Sequence, residues 1–402
     1  VFVRLEGDVG FRQEGTQLIG VGANVGATLG SDTLGVSLSD ANFGLMLDGD
    51  EAVFALTDGV FGTNLANVAS ASADAVFVEY TNAQTSVTAG DTLSVGDISY
   101  AFARDIAADT VAFGVEGFSA DIGGFASLSG DVGFSQTGDE IVAVGSDVGV
   151  TVGTQAASVG LTSADFGLVS DADGTAFELR NGVFALNLGD IAGATANATR
   201  VSYSDENKAI ASGRVLEAGP LSYTFDDALA ADTALVTVEG FSADVAGFVT
   251  LSGDLGFSRI GDEIVGVGAN VGARMGTDSI YVGVSGADFG LRHNADGLNF
   301  ELTGGTLDSS LGGIGAFDAG SVTVQYSDLG TSVAAGETLE VGALSYTFGD
   351  GLADVAVAGF GIEDFGLTAG GFVRLEGDVG FKQEGTQLIG VGANVGATLG
   401  SD

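Results

Sequence analysis

Short apolar runs, whose residues alternate with small or polar ones, recur along the whole chain. Leu34, Val36 and Leu38 alternate with glycine and serine, and Val322, Val324 and Tyr326 follow the same rule far downstream. Successive side chains of a β-strand point to opposite faces, so this period of two predicts strands that bury one face. Because no segment indicates a long helix, the chain is predicted to be all-β.

Turn-forming strings separate these runs. Glycine occurs with aspartate or asparagine at 48–50, 171–174 and 294–297, each time between two apolar runs. Glycine tolerates a left-handed backbone, and an Asp or Asn side chain bonds nearby backbone groups, so these strings favour tight turns. The pattern is typical of successive strands joined by hairpins.

The whole pattern repeats. The string FVRLEGDVGF and its close variants start at residues 2, 125, 248 and 372, which gives steps of 123, 123 and 124 residues. We therefore divide the chain into repeat one (2–124), repeat two (125–247), repeat three (248–371) and the start of a further repeat (372–402). Residues 2–32 and 372–402 are identical except that Arg12 becomes Lys382, so a 370-residue super-unit overlies the shorter repeat. We expect the natural array to continue at both ends.

Repeats whose phenylalanines return in register are typical of a solenoid, in which similar rungs stack into one apolar core. The junctions at 118–125 and 241–248 have the sequence of a strand and a tight turn, without the linker expected between separate domains. We therefore predict a continuous β-solenoid built from these repeats. Tandem β-sandwich domains remain the alternative, because an immunoglobulin-like unit has a similar length. The third junction differs at 361–367, where we expect the additional residue of the 124-residue step.

Charge narrows the range of partners. The chain has 12 Lys and Arg against 54 Asp and Glu, a net charge of −42, so no nucleic-acid partner is expected. An apolar content of 45% is too high for a disordered acidic tail. No apolar run is long enough for a membrane-spanning helix. The absence of cysteine excludes disulfides and thiolate metal sites within the chain.

The acidic turns are candidate calcium sites, because Ca²⁺ prefers several carboxylate and carbonyl oxygens on a flexible loop. A hairpin turn that uses Asp and Gly for their backbone preferences explains the same strings, and a full EF-hand loop is absent. Ca²⁺ is the only cofactor that the sequence suggests. The candidate ligands are Asp48, Asp50, Asp171, Asp173 and Asp296.

No enzyme is predicted. His293 is the only histidine, and Leu47 and Ser170 stand at the equivalent positions of the other repeats, which argues against a repeated His-dependent site. The D-F-G strings at 165–167 and 288–290 lack the other kinase motifs. Paired carboxylates of a glycan-cleaving β-helix would mark one divergent cleft, whereas the acids here recur.

The strings FVxLxGDVGF, ADFGL, VxY and LSYxF together resemble the repeats of giant bacterial surface proteins of the adhesin- or haemagglutinin-like kind. The resemblance covers essentially the whole chain and implies export and display at the bacterial cell surface. We therefore expect a structural repeat region of an extracellular filament, fibre or surface layer. The expected partners are copies of the chain, assembled end to end or laterally, and divalent cations. The alternative is the rigid stalk of a large calcium-binding adhesin that displays a distal binding head.

Overall fold

The computed structural model describes residues 3–31, 34–65, 69–82, 84–328, 332–352 and 356–400. Within them the chain forms 28 strands and no helix, which confirms the all-β prediction. Twenty-two strands belong to antiparallel sheet, and the other six pair as three two-stranded hairpins. Accordingly, the described residues contain no helix that could cross a membrane.

Repeat one contains three long strands, four shorter ones, a hairpin and a closing long strand. They are β1 (Val3–Glu14), β2 (Gln17–Ser31), β3 (Leu34–Asp48), β4 (Glu51–Thr57), β5 (Val60–Leu65), β6 (Ala69–Ala73), β7 (Ala75–Thr81), β8 (Thr92–Val95), β9 (Ile98–Ala101) and β10 (Thr110–Ile122).

Repeats two and three follow the same plan, except that one long strand replaces each pair of shorter ones. The strands of repeat two are β11 (Ala126–Thr137), β12 (Glu140–Thr154), β13 (Ala157–Asp171), β14 (Gly174–Asn187), β15 (Ala192–Ser204), β16 (Val215–Ala218), β17 (Leu221–Thr224) and β18 (Thr233–Val245). Those that follow are β19 (Val249–Ile260), β20 (Glu263–Gly276), β21 (Ile280–Asn294), β22 (Gly297–Leu311), β23 (Gly315–Ser327), β24 (Thr338–Val341), β25 (Leu344–Thr347), β26 (Val357–Ala369), β27 (Val373–Glu384) and β28 (Gln387–Leu399).

The chain divides into two compact units, residues 1–182 with 203–231 and residues 183–202 with 232–402. In the first unit β1, β2 and β3 pair in order, β3 pairs with β4 and β5, and β6 and β7 connect these to β10. The ladder then continues through β11, β12 and β13. In the second unit β18 to β23 pair in order, followed by β26, β27 and β28.

This pairing differs from the expected solenoid coil. Each of the pairings above is antiparallel and most join consecutive strands, whereas the rungs of a parallel β-helix stack on copies several strands away. The structure therefore confirms an all-β chain, in which each complete repeat contributes the same series of strands, but it does not confirm the coil.

The joins between repeats are tight hairpins. β10 pairs with β11 from Thr110↔Thr137 to Ile122↔Ala126, and β18–β19 and β26–β27 pair in the same way. Gly123 and Gly124 turn the chain with φ of 61° and 65°, and the Asp121 carboxylate accepts a 3.0 Å hydrogen bond from the Gly124 amide. The predicted repeat boundaries thus fall in short turns between paired strands.

The additional residue of repeat three lies ahead of the position expected from the sequence. The bridge Val333↔Leu352 keeps the 123-residue step from Ile210↔Leu229, but β26 begins at Val357, 124 residues after Thr233. The bulge of β26, between Ile362 and Phe365, also stands 124 residues after that of β18. The insertion therefore lies between Leu352 and Val357, and the prediction at 361–367 was wrong.

Candidate functional site: the hairpin clasp

In each repeat the chain leaves the sheet after its fifth strand position and forms a clasp, which we define as residues 87–106, 210–229 and 333–352. An isolated antiparallel bridge closes the base of each clasp: Val87↔Ile106, Ile210↔Leu229 and Val333↔Leu352. The hairpins β8–β9, β16–β17 and β24–β25 form the body of the clasps. Each hairpin turns through two residues, and the first is a glycine with positive φ, which a tight hairpin favours (Gly96, Gly219 and Gly342).

A perpendicular aromatic pair fixes each clasp to the sheet. The rings of Tyr100 and Phe102 lie 5.2 Å apart at 86°, and the other two clasps have equivalent pairs. The tyrosine ring rests on a glycine of the third strand, since a Cβ added at Gly44 would come within 2.5 Å of Tyr100. Gly167 and Gly290 meet their tyrosines in the same way. Close approach of the ring therefore explains the glycine of the recurring F-G-L string.

The space beneath the clasps contains the apolar core. Ile19, Val21 and Val53 are buried under the first clasp together with Tyr100 and Phe102. Equivalent clusters centre on Val144 and Phe225 in repeat two, and on Val267 and Phe348 in repeat three. The tight packing of these side chains makes each clasp part of the core of its own repeat.

A buried carboxylate lies beneath the third clasp. Glu301 is 1% exposed and accepts hydrogen bonds from the Tyr346 hydroxyl at 2.8 Å, the Gly349 amide at 3.0 Å and the Gln325 side chain at 2.8 Å. Burial raises the pKa of the Tyr346 hydroxyl, and the adjacent carboxylate acts in the same direction. Both carboxylate oxygens therefore have partners, as a buried charge requires.

The same buried carboxylate occurs in the other repeats, but not always on the same strand. In repeat two, Glu178 accepts a 2.6 Å hydrogen bond from the Tyr223 hydroxyl. Repeat one has Ala55 at the position of Glu178, and its buried carboxylate is Glu79, the cross-strand partner of Ala55. Glu79 forms an ion pair with Arg104. Each repeat thus places one buried glutamate under its clasp, on either of two adjacent strands.

A cavity of about 350 Å³ in the first unit lies between the first and second clasps. Its lining includes Glu79, Arg104, Glu140 and Glu217. Arg104 also donates to the carbonyl of Gly219, and the Ser135 hydroxyl donates to the Glu217 carbonyl at 2.7 Å. Aspartate occupies the position of Arg104 in repeats two and three, so the ion pair between Arg104 and Glu79 belongs to repeat one alone. The lining residues therefore link successive clasps.

The predicted calcium ligands lie in the hairpin turns β3–β4, β13–β14 and β21–β22. Asp48 accepts a 2.7 Å hydrogen bond from the Thr16 hydroxyl. Asp171 accepts the Asp173 amide at 3.0 Å and pairs with Lys208, whose hydrogen bond is the main reason that the pKa of Asp171 is lowered. The Asp296 amide donates to Asn294 at 3.0 Å.

The contacts of Asp171 and Asn294 match a turn in which the side chain binds the backbone two residues on, whereas Asp48 binds the side chain of Thr16. Repeats two and three thus share one side-chain-to-backbone contact, and Lys208 adds a positive charge beside Asp171 in repeat two. Within the described ranges, no three His, Asp or Glu side chains are grouped to hold a metal ion. Calcium binding at these five residues remains a prediction.

A second acidic set has a clear structural role. Asp131 accepts the Gly117 amide at 2.6 Å, Asp254 accepts the Gly240 amide at 2.6 Å, and Asp378 accepts the Asp364 amide at 2.9 Å. The amides lie where the register of β10, β18 and β26 shifts, so the carboxylates bond amides at the bulges. The backbone hydrogen bond is also the main reason that the pKa of Asp378 is lowered.

Sequence reasoning missed the buried glutamates. The alternation of the strand contains a signal for them. Glu178 and Glu301 lie two residues after buried Ala176 and Asn299, and therefore on the face of the strand that points inward. Their hydroxyl partners come from a clasp about 45 residues downstream, a contact that strand periodicity does not reveal.

Comparison with known proteins adds no family. A scan against protein-family models finds no match, and a search of curated proteins finds no related chain. The resemblance to adhesin-like surface repeats therefore remains a prediction.

Proposed function

We propose that this chain is the structural repeat region of an extracellular filament, fibre or surface layer of a bacterium. The observation that carries the proposal is the hairpin at each join between repeats. There, eleven residue pairs connect the last strand of one repeat to the first strand of the next. A paired ladder resists bending and extension where a linker would act as a hinge.

The proposed array resembles a solenoid in that each repeat is stabilised by its neighbours, but its strands form an antiparallel meander and not a coil. Each repeat depends on its own clasp and on the ladders at its two ends, which is the nearest-neighbour arrangement of repeat proteins. Strands lie about 4.8 Å apart, so six strand positions add roughly 29 Å of sheet per repeat. Repetition of this kind produces length and stiffness without catalytic side chains.

The composition fits the proposed placement outside the cell and does not by itself fix the compartment. The chain has no cysteine to crosslink during export, and its net charge of −42 keeps it hydrated and attracts divalent counter-ions. Copies of the chain and divalent cations are the partners that we propose.

The test is electron microscopy and small-angle X-ray scattering of chains with one and two tandem copies of the 370-residue super-unit. A continuous array doubles in length, by about 29 Å per added repeat, at constant thickness. Beads on flexible joins would instead give variable end-to-end distances that grow roughly as the square root of repeat number, and would overturn the proposal.

The second candidate is the stalk of a calcium-binding adhesin, favoured by the recurrence of an acidic turn at the same place in each repeat. A stalk of this kind stiffens as calcium binds at the turns. Calorimetric titration of the chain with CaCl₂ tests it, with Asp48→Asn, Asp171→Asn and Asp296→Asn combined as the matched variant. Saturable heat that the variant loses supports the stalk, and heat that the variant retains contradicts the assignment of these ligands.

A further inference from the structure

The sheet face opposite the clasps has an uncharged row of side chains that crosses nine strands in each unit. We name it the open row. In the first unit it consists, in cross-strand order, of Val9, Gly22, Phe43, Leu56, Val78, Phe113, Phe134, Ala143 and Leu168. In the second unit it consists of Val238, Leu255, Gly268, Phe289, Leu302, Val324, Phe360, Phe381 and Gly390.

The open row lies on the face away from the clasps, although its small members Gly22, Ala143 and Gly268 are themselves buried. Its residues alternate along each strand with those that the clasps cover, such as Val21 and Gly44, so they point to the other face. Phe113 and Phe134 stack with ring centres 5.2 Å apart and are still 54% and 40% exposed. Phe360 and Phe381 are exposed to a similar extent at 44% and 54%. Four half-exposed phenylalanines mark this face as an interaction surface.

We propose that the open row is the surface through which a second copy of this chain packs face to face, which gives the filament of the proposed function its lateral contact. The inference rests on that function and specifies the interface. Two sheets that pack in this way lie about 10 Å apart with interdigitated side chains. A two-fold axis would let each row meet its own copy.

Area supports this occupant. Nine strands span roughly 40 Å, and the row with its apolar neighbours two residues away is about 14 Å wide, so each unit offers on the order of 500 Å². Two rows that pack face to face therefore bury about 1,000 Å² in total, which is at the lower limit of a specific interface, so the expected association is weak.

The period of the row favours a second copy over other partners. The net charge of −42 repels anionic surfaces such as nucleic acid or acidic lipid and, at low salt, also a second copy, whereas the row itself carries no charge. A partner must also present apolar positions at the spacing of these strands over nine strands. A second copy of the chain has that spacing because its sequence repeats in the same way.

The test is sedimentation velocity of the 402-residue chain at about 10 mM and about 500 mM NaCl, since salt screens the repulsion between two anionic copies. We expect a dimer or larger assembly at high salt, and a dissociation constant at least tenfold higher at low salt. The row variant combines Phe113→Thr, Phe134→Thr, Phe360→Thr and Phe381→Thr and is expected to remain monomeric. The matched control replaces the exposed phenylalanines of the junction turns, Phe125, Phe248 and Phe372, by threonine and is expected to associate like the wild type.

An independent readout uses the absence of native cysteine. Val111→Cys places a thiol beside Phe113 on the open face, and Phe125→Cys places one in a junction turn. At high salt and high protein concentration, the thiol at 111 should react with a maleimide at least tenfold more slowly than at low concentration, while that at 125 should not change. This comparison needs no variant of the row itself.

A wild-type chain that stays monomeric at both salt concentrations up to about 100 µM would overturn the proposal. So would equal loss of assembly in the row variant and the turn control. Monomers that bind neutral phosphatidylcholine vesicles through the row would assign the face to lipid instead. Each of these results leaves the axial length per repeat untouched, so failure of the lateral contact is distinguishable from failure of the continuous array.

Discussion

Two regions of nearly identical sequence, β1–β2 and β27–β28, share their backbone and differ in their environment. Each cross-strand residue pair of β27–β28 lies 370 residues after a pair of β1–β2: Val373↔Leu399 corresponds to Val3↔Leu29, and the bulge is at the same place. Val21 is 0% exposed and Val391 is 65% exposed, because the first clasp covers β2 and no clasp within the described chain covers β28.

The comparison separates two kinds of information. Strand pairing, register and bulge are local, since the same thirty or so residues adopt them with or without cover. Burial comes from a clasp about 70 residues downstream, and it alone turns an apolar strand face into core. The following predictions, from the largest expected effect to the smallest, test that separation.

The largest effect is expected from Val21→Asp, which we compare with the separate variant Val391→Asp. A carboxylate under the first clasp would be buried without a partner, so Val21→Asp should lower the free energy of unfolding by at least about 4 kcal/mol. Val391→Asp should change it by less than about 0.5 kcal/mol, because the side chain is exposed. Denaturant unfolding, with hydrogen exchange at residues 92–101 to follow the clasp, measures both. Equal effects at the two positions would contradict a core supplied by the clasp.

A smaller effect is expected from removal of one clasp hydroxyl. Tyr346→Phe takes a hydrogen bond from buried Glu301 and should destabilise the second unit by about 1–2 kcal/mol. Tyr326→Phe is the matched control: Tyr326 is exposed and bonds Asp328 at 2.6 Å, so its loss should cost less than about 0.5 kcal/mol. Thermal unfolding of the two variants compares them, and a larger cost at Tyr326 would refute the buried-carboxylate interpretation.

Alkaline pH should loosen the clasps before it affects β27–β28. Burial raises the pKa of Tyr100 and Tyr346 above the ordinary value of 10.0, so their contribution to stability is complete below pH 10 and is lost as pH rises further. Tyrosinate absorbance and near-UV circular dichroism should show a late-ionising fraction that Tyr100→Phe with Tyr346→Phe reduces. Tyr281 and Tyr326 remain in that fraction, because hydrogen bonds to Asp308 and Asp328 raise the pKa of their hydroxyls. Ionisation of all seven tyrosines together near pH 10, with the fold retained, would contradict this.

The smallest effect concerns the single sequence difference between the two regions. Arg12 and Lys382 each face a glutamate two residues on, at 3.7 Å and 3.2 Å, and both pairs are exposed. Arg12→Lys should therefore change stability by less than about 0.5 kcal/mol. A change above 1 kcal/mol in calorimetric unfolding would show that this position does more than the local pairing implies.

The sequence was informative where the structural information is local. Alternation predicted the strands, the 123-residue step located the turns between repeats, and the strings at 48–50 and 294–297 form turns as expected. The clasp was not predicted, because strings such as Leu-Ser-Tyr-Thr at 221–224 look like any other strand of a sheet. The buried glutamates were not predicted, because they do not occupy the same repeat position in all three copies. In repeat one the acid is Glu79, on the strand next to the position that corresponds to Glu178.

The measurement that tests the account most directly is hydrogen exchange across the three joins, at residues 118–130, 241–253 and 365–377. Paired hairpins predict slow exchange on both sides of each turn, with fast exchange confined to the two or three turn residues. Protection should match that within β11–β12, which lies inside a repeat. Exchange within seconds throughout a join would show a flexible linker, and would contradict the continuous array on which the proposed function depends.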